Sequence, residues 1–288
     1  VDPGCNVTGP RAAIGPSGTA AVVWSEQHSR MQELGGPRMI GVGSTGGGGT
    51  WTARTITATD GAAGAPDVVV DALNGTTVAW TRFEAGVPRL EVATSPSPAG
   101  WGTSQDLSPG QAAGWARVLE AGPGSLVAVW QAAEGSSWRI EAATRDPGSG
   151  WGPPQRLSSV GLPPARTPDL AVDRGTGTAL AVWALDDGTI QAAARDGTGP
   201  ELRDLVVPDT PAAGSPARFG VTPVDAWSAV AGEATWSLGD GATVTGNTVD
   251  HAFALPGTYM VGVSAADVLG NTGTRTAMVV AGPPVPAG

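Results

Sequence analysis

Lysine is absent from this chain of 288 residues, and all 16 basic side chains are arginines. That bias fits a GC-rich coding sequence and carries no mechanism. Cys5 is the single cysteine, which excludes an internal disulfide and a cysteine-built metal site. There is one tyrosine, Tyr259, and there are two histidines, His28 and His251, so tyrosine and histidine chemistry has few places to come from. No apolar run is long enough for a membrane-spanning helix. No leader segment reads at the first residue, and the residues before Cys5 do not form a lipoprotein signal. A mature form or an excised piece of a longer chain is therefore expected, with residues 283–288, "PPVPAG", as a linker or tail. A basic cluster is also missing. With a net charge of −10, that argues against nucleic acid and against anionic membrane as partners, and no membrane insertion is expected. Nor does any stretch read as a capped amphipathic helix of useful length.

What is present is glycine (44), proline (25) and an apolar content of 41%. The combination predicts an all-β chain of many short strands joined by tight turns.

An apolar run ending in tryptophan recurs as "TAAVVW", "TTVAW", "LVAVW" and "ALAVW". The tryptophans are Trp24, Trp80, Trp130 and Trp183, spaced 56, 50 and 53 residues apart. A second anchor, Trp51, Trp101 and Trp151, recurs every 50 residues. Aligned on these anchors, each unit opens with a β-branched run such as "PDVVVD" and continues into the tryptophan run. A third strand such as "RIEAAT" follows, and then a last short strand such as "WGPPQRLS". Four short antiparallel strands repeated about every 50 residues predict the blades of a β-propeller.

The hairpin between third and fourth strands carries "TRDPGSGW", in which Thr144, Asp146, Gly148 and Trp151 stand at the offsets Ser/Thr-x-Asp-x-Gly-x-x-Trp. Thr and Asp suit exposed turn amides, glycine permits a positive φ, and the indole can fold back over the turn. This pattern resembles the Asp-box, or BNR repeat, of sialidase-like propellers over roughly residues 10–200. The first copy keeps Ser44, Gly48, Thr50 and Trp51 with Gly46 in place of the aspartate. The second keeps Thr94 and Trp101, and the fourth keeps Asp196. The resemblance implies a fold and a structural motif, not an activity.

The period stops near residue 200. Beyond it, Trp236, Leu238, Gly239, Asp240 and Gly241 are followed by His251, Phe253, Pro256, Gly257, Tyr259 and Val261, and then by Asp267, Gly270 and Asn271. This series resembles a PKD domain, which implies a small immunoglobulin-like β-sandwich of the kind found in extracellular multi-module proteins. "GTYMVGVSAAD" alternates with a period of two, so Tyr259, Val261 and Val263 should share a face. The organisation read is residues 1–200 propeller, 201–282 sandwich and 283–288 tail.

"ELRDLVVP" (201–208) suits the sandwich better than the fourth blade, which then lacks its outer strand. "GCNVTG" could replace that strand and close the ring. Three arrangements stay open: a closed ring of four, an open arc, or an arc completed by another chain or by further blades.

The resemblance to sialidases implies, for catalysis, a tyrosine nucleophile and an arginine triad. The propeller has no tyrosine, and Arg38, Arg89 and Arg139 fall at one repeated strand-edge position. No Ser–His–Asp set or carboxylate pair stands out. "LDDGT" (185–189) is too short for a calcium loop and reads as a hairpin turn. No catalytic residue, no metal ligand and no cofactor is assigned. The binding candidates are His28, Arg30, Met31 and Glu33 in the long connection after Trp24, together with Trp115 and Trp138, which lie outside the repeat anchors. Loops beside a rigid sheet are where recognition surface accumulates. The expectation is a secreted or cell-surface binding or scaffold protein that recognises a glycan or a surface protein. Its sandwich serves as spacer, and it can self-associate if the ring is incomplete. An accessory part of a secreted glycoside hydrolase or lyase, or a subunit of a surface fibre or layer, are the alternatives.

Overall fold

The computed structural model describes residues 5–28, 38–45, 51–57, 62–96, 100–160 and 163–284. It is all β, in two units, Val1–Arg195 and Asp196–Gly288.

The first unit is a series of sheets in chain order. β1 (Cys5–Ile14), β2 (Ala20–His28), β3 (Arg38–Thr45) and β4 (Thr52–Thr55) form the first. β5 (Ala62–Val70), β6 (Thr76–Glu84), β7 (Val87–Ser95) and β8 (Gln105–Asp106) form the second. β9 (Ala113–Glu120), β10 (Leu126–Glu134), β11 (Ser137–Arg145) and β12 (Gln155–Arg156) form the third. β13 (Asp169–Val172), β14 (Ala179–Ala184) and β15 (Ile190–Arg195) form a fourth of three strands. Every sheet is an antiparallel meander, as short loops between successive strands require.

The tryptophan strands are apolar on both faces because each inner sheet is covered on both sides. Val78 and Trp80 face the first sheet, with Ala21, Val23 and Val68. Ala128 and Trp130 face the second, with Val69, Leu90 and Val92. Trp183 and Ala181 face the third, with Val127, Val129 and Ile140. The opening strands stack in turn, β1 on β5, β5 on β9 and β9 on β13. No such packing joins β13 back to β1 among the described residues.

The N-terminal segment does not complete the fourth sheet. Cys5–Ile14 is the opening strand of the first, paired from Cys5↔His28 to Ile14↔Ala20. One of its edges is used by β2 and Ala13 packs against the core shared with the second sheet, so the segment belongs to the first sheet and not to the fourth. "LDDGT" is a turn, closed by Leu185 N donating to Thr189 O at 2.8 Å and by Thr189 N donating to Asp187 Oδ1 at 2.8 Å.

One irregularity repeats. The opening strand of each of the first three sheets takes one residue into the left-handed region: Gly9 (φ 61°), Ala65 (φ 48°) and Trp115 (φ 54°). The ladders slip there, between Thr8 and Arg11, between Gly64 and Asp67, and opposite Val129–Gln131. These are bulges, which bend and re-aim a strand. Two residues on, each opening strand carries a charge: Arg11, Asp67, Arg117 and, in the fourth sheet, Asp169. Neighbours pair along this row, Arg11–Asp67 at 4.0 Å, Arg117–Asp67 at 3.3 Å and Arg117–Asp169 at 3.0 Å.

The second unit is a two-sheet sandwich. β16 (Glu201–Val206), β17 (Ala217–Val224) and β20 (Thr248–His251) form one sheet. β19 (Thr243–Thr245), β18 (Thr235–Ser237), β21 (Gly257–Ala266) and β22 (Thr272–Ala281) form the other. Phe219, Trp236, Phe253, Val261 and Val263 fill the space between them. Trp236 is fully enclosed and its Nε1 donates to Gly246 O at 2.9 Å, so the buried polar group is satisfied.

Candidate functional site

Trp115 and Trp138 come together at one end of the third sheet. Trp115 stands near the start of β9 and Trp138 near the start of β11, both beside the end of β10, where Ala113 pairs Ala132 and Trp138 pairs Ala133. The rings meet edge to face with centroids 5.9 Å apart, and both residues are half-buried. Trp115 N donates to Thr81 Oγ1 of the neighbouring sheet at 2.9 Å, which anchors the bulge.

A polar network lies at the same end of the third sheet. Arg139 Nε and Nη2 donate to Glu141 Oε1 at 2.8 and 2.6 Å, and Nη2 also donates to Gln111 Oε1 at 3.1 Å. Arg139 is therefore held in a network, not left as a solvated strand edge. Arg156 Nη2 donates to Glu134 Oε2 at 2.9 Å, with its Nη1 on the other oxygen. The hydrogen bond from Arg156 holds the Glu134 carboxyl below its ordinary range, so Glu134 is an anion at neutral pH.

Asp67 is the carboxyl pushed upward, because burial outweighs its contacts with Val118 N and Arg117. A raised carboxyl is what a general acid needs. Here, however, Oδ2 accepts from Val118 N at 2.9 Å and Oδ1 from Arg117 Nη1 at 3.3 Å. Both oxygens are engaged in the charge row, and the group has a structural assignment.

Backbone placement puts His28 at the last position of β2, on the first sheet; its side chain, with Arg30, Met31 and Glu33, lies outside the described residues. In the Asp-box hairpin, Gly148 takes φ 74°, Ser149 N donates to Asp146 O at 3.0 Å and Gly152 N donates to Thr144 O at 2.9 Å. Asp146 Oδ1 accepts from Ser125 Oγ at 3.4 Å, so its side chain ties two hairpins together. Trp151 packs against the core between second and third sheets, with the Arg145 guanidinium 5.8 Å from its ring centre.

In the sandwich, Gly239 and Gly241 turn at φ 80° and 94°. The intervening Asp240 bonds His251 Nε2 at 2.7 Å and accepts from Ala242 N at 3.0 Å. Tyr259 stacks on Phe253 at 4.1 Å and its hydroxyl donates to Leu255 O at 2.8 Å.

One cluster is absent from the sequence-based candidates. Asp196, Asp225 and Asp267 bring carboxylate oxygens within 4.8 Å of one another. Asp267 accepts four hydrogen bonds, from Leu269 N, Asn271 N, Asn271 Nδ2 and Ser228 Oγ. Asp196 and Asp225 each cap a local turn with one oxygen, while the other is enclosed and accepts nothing. Such oxygens are the donor type of a hard divalent cation. Each aspartate reads locally as a turn former, so no sequence signal separates this set from ordinary turns.

Residues 197–281 match the PKD domain family, and the second unit is a PKD domain. No curated protein sequence matches the chain. A protein of unknown function from Dyadobacter fermentans superposes with TM-score 0.50 at 10% identity, over 96% of this chain and 94% of that one. The Penicillium chrysogenum α-L-arabinanase in complex with arabinobiose gives TM-score 0.44 at 13% identity, over 97% and 94%. Zg3597, a family 117 glycoside hydrolase of Zobellia galactanivorans, gives 0.42 at 15%, over 70% and 73%. Likeness at this level concerns the course of the chain and not its chemistry.

Proposed function

We propose that the propeller-like unit is a non-catalytic recognition module that binds a glycan at the Trp115–Trp138 edge of its third sheet. The PKD domain is its spacer in a secreted or cell-surface protein. One observation carries this reading. Glycine and alanine satisfy the bulge in the first two sheets, whereas the third places a tryptophan at the same left-handed position. A side chain there costs about 1–2 kcal/mol relative to glycine. The fold has no need of it, and departures from local rules concentrate at functional sites. A half-exposed indole pair offers a stacking face, and the same end of the sheet carries the polar groups of Glu134, Arg139 and Gln111, the two kinds of group that a sugar ring requires. The second reading, an accessory part of a carbohydrate-cleaving enzyme, has the same ligand class and differs only in what accompanies this chain.

A glycan array followed by calorimetric titration tests it. The expected result is binding to one oligosaccharide class, weakened at least tenfold in Trp115→Gly and retained in part by Trp115→Phe. Equal binding by Trp115→Gly, or none by the wild type, overturns the site. Release of reducing ends by the isolated chain overturns the non-catalytic assignment.

A further inference from the structure

The junctions between sheets follow one rule, and the two ends of the series break it in complementary ways. Leu90 and Ile140 hold the same position in the second and third sheets, and each is fully enclosed by the sheet that follows, at 0% exposure. Ile190 holds that position in the fourth sheet and is 69% exposed. Val182 likewise is 36% exposed where its equivalent Val129 is at 0%. At the other end, Trp101 and Trp151 pack into the junctions that precede their sheets. Trp51, their counterpart, is 53% exposed and borders an open apolar groove of about 340 Å³ floored by Ala12, Ile14, Ala20 and Val22. Among the described residues, no sheet of the first unit follows the fourth or precedes the first.

The charge row says what a follower must carry. Along the opening strands the sign alternates, Arg11, Asp67, Arg117, Asp169. The next member must be a cation. Asp169 has a side chain 72% exposed and Arg11 one 56% exposed, so each end of the row has an open side. The first sheet of this same chain supplies both the apolar seat and the cation.

We propose that a second copy of this chain docks head to tail. Its first sheet covers Val182 and Ile190, and its Arg11 faces Asp169. The contact repeats the chain's own internal junctions and is heterologous, so it closes when the rotation per sheet allows and otherwise extends as an open series. Two copies bring eight sheets, within the usual range for closed propellers of about 4–8 blades. This inference is independent of the ligand assigned to Trp115.

Light scattering on the intact chain, across concentration, tests it with two variants at exposed positions, Ile190→Arg and Ile14→Arg. The expected wild-type mass is two chains or a larger multiple, falling to one chain in either variant, with circular dichroism unchanged. An equimolar mixture of the two variants should regain a two-chain mass, because one intact junction remains between them. A wild type that stays monomeric at its solubility limit overturns the proposal. So does a dimer that Ile14→Arg leaves intact, which marks a symmetric contact between fourth sheets, or a mixture of variants that stays monomeric.

Discussion

Trp115 and Trp138 touch edge to face at 5.9 Å although each belongs to a different strand and neither belongs to the repeat. Trp130, between them in sequence, is fully enclosed and belongs to the repeat. The three tryptophans therefore separate fold from function. Trp115→Gly loses an aromatic contact of about 0.5–1.5 kcal/mol and relieves a left-handed backbone by about 1–2 kcal/mol. Its unfolding free energy should stay within about 1 kcal/mol of wild type. Trp130→Ala should cost about 3–5 kcal/mol. Denaturant unfolding compares the two, and a Trp115→Gly loss as large as that of Trp130→Ala would assign Trp115 to the core.

Asp67 predicts an inverted pH response. Burial, the largest influence, raises its pKa above the ordinary 3.8 despite the Val118 and Arg117 contacts. A carboxyl raised on folding binds its proton more tightly in the native state. Stability then falls as pH rises from 3.8 through the native value and is level above it. Asp67→Asn should raise the thermal midpoint of the first unit at neutral pH, and the gain should vanish below pH 3.8. Calorimetry at several pH values reads this directly. A loss at neutral pH would mean the Arg117 pair outweighs desolvation.

Asp240 responds with the opposite sign. Burial acts to raise it, but hydrogen bonds from Ala242 N and His251 outweigh burial and leave it below 3.8. Its contribution to the PKD domain is complete above pH 3.8 and is lost as pH falls through the lower native value. Amide exchange in β18 and β21 should accelerate as pH is lowered through that window, after correction for intrinsic rates. Asp240→Asn should flatten the acceleration. An unchanged profile in the variant would remove Asp240 from the acid response.

Gly239 and Gly241 both turn through positive φ but differ in surroundings. A Cβ on Gly239 meets Met260 O at 2.7 Å and Met260 N at 2.9 Å, whereas one on Gly241 meets nothing within 4 Å. Gly241→Ala should cost about 1–2 kcal/mol, the left-handed penalty alone. Gly239→Ala adds displacement of β21 and should cost clearly more. Equal losses in chemical unfolding would show that the backbone at Met260 yields freely.

Much of the fold is written in local pattern. The spacing of Trp24, Trp80, Trp130 and Trp183 marks the sheets, and the Trp236–Asn271 series marks the sandwich. Alternation and turn chemistry act over a few residues, so the sequence by itself determined strands, hairpins and the repeat. Only the tertiary structure decided what depends on non-local geometry. It placed Cys5–Ile14 in the first sheet instead of the last, drew Asp196, Asp225 and Asp267 together, and set Trp115 on Trp138. It also left Trp51 and Ile190 uncovered. A period is the same for every copy of a repeat, whereas burial depends on which copies have a neighbour, and that is a property of the assembled sheets.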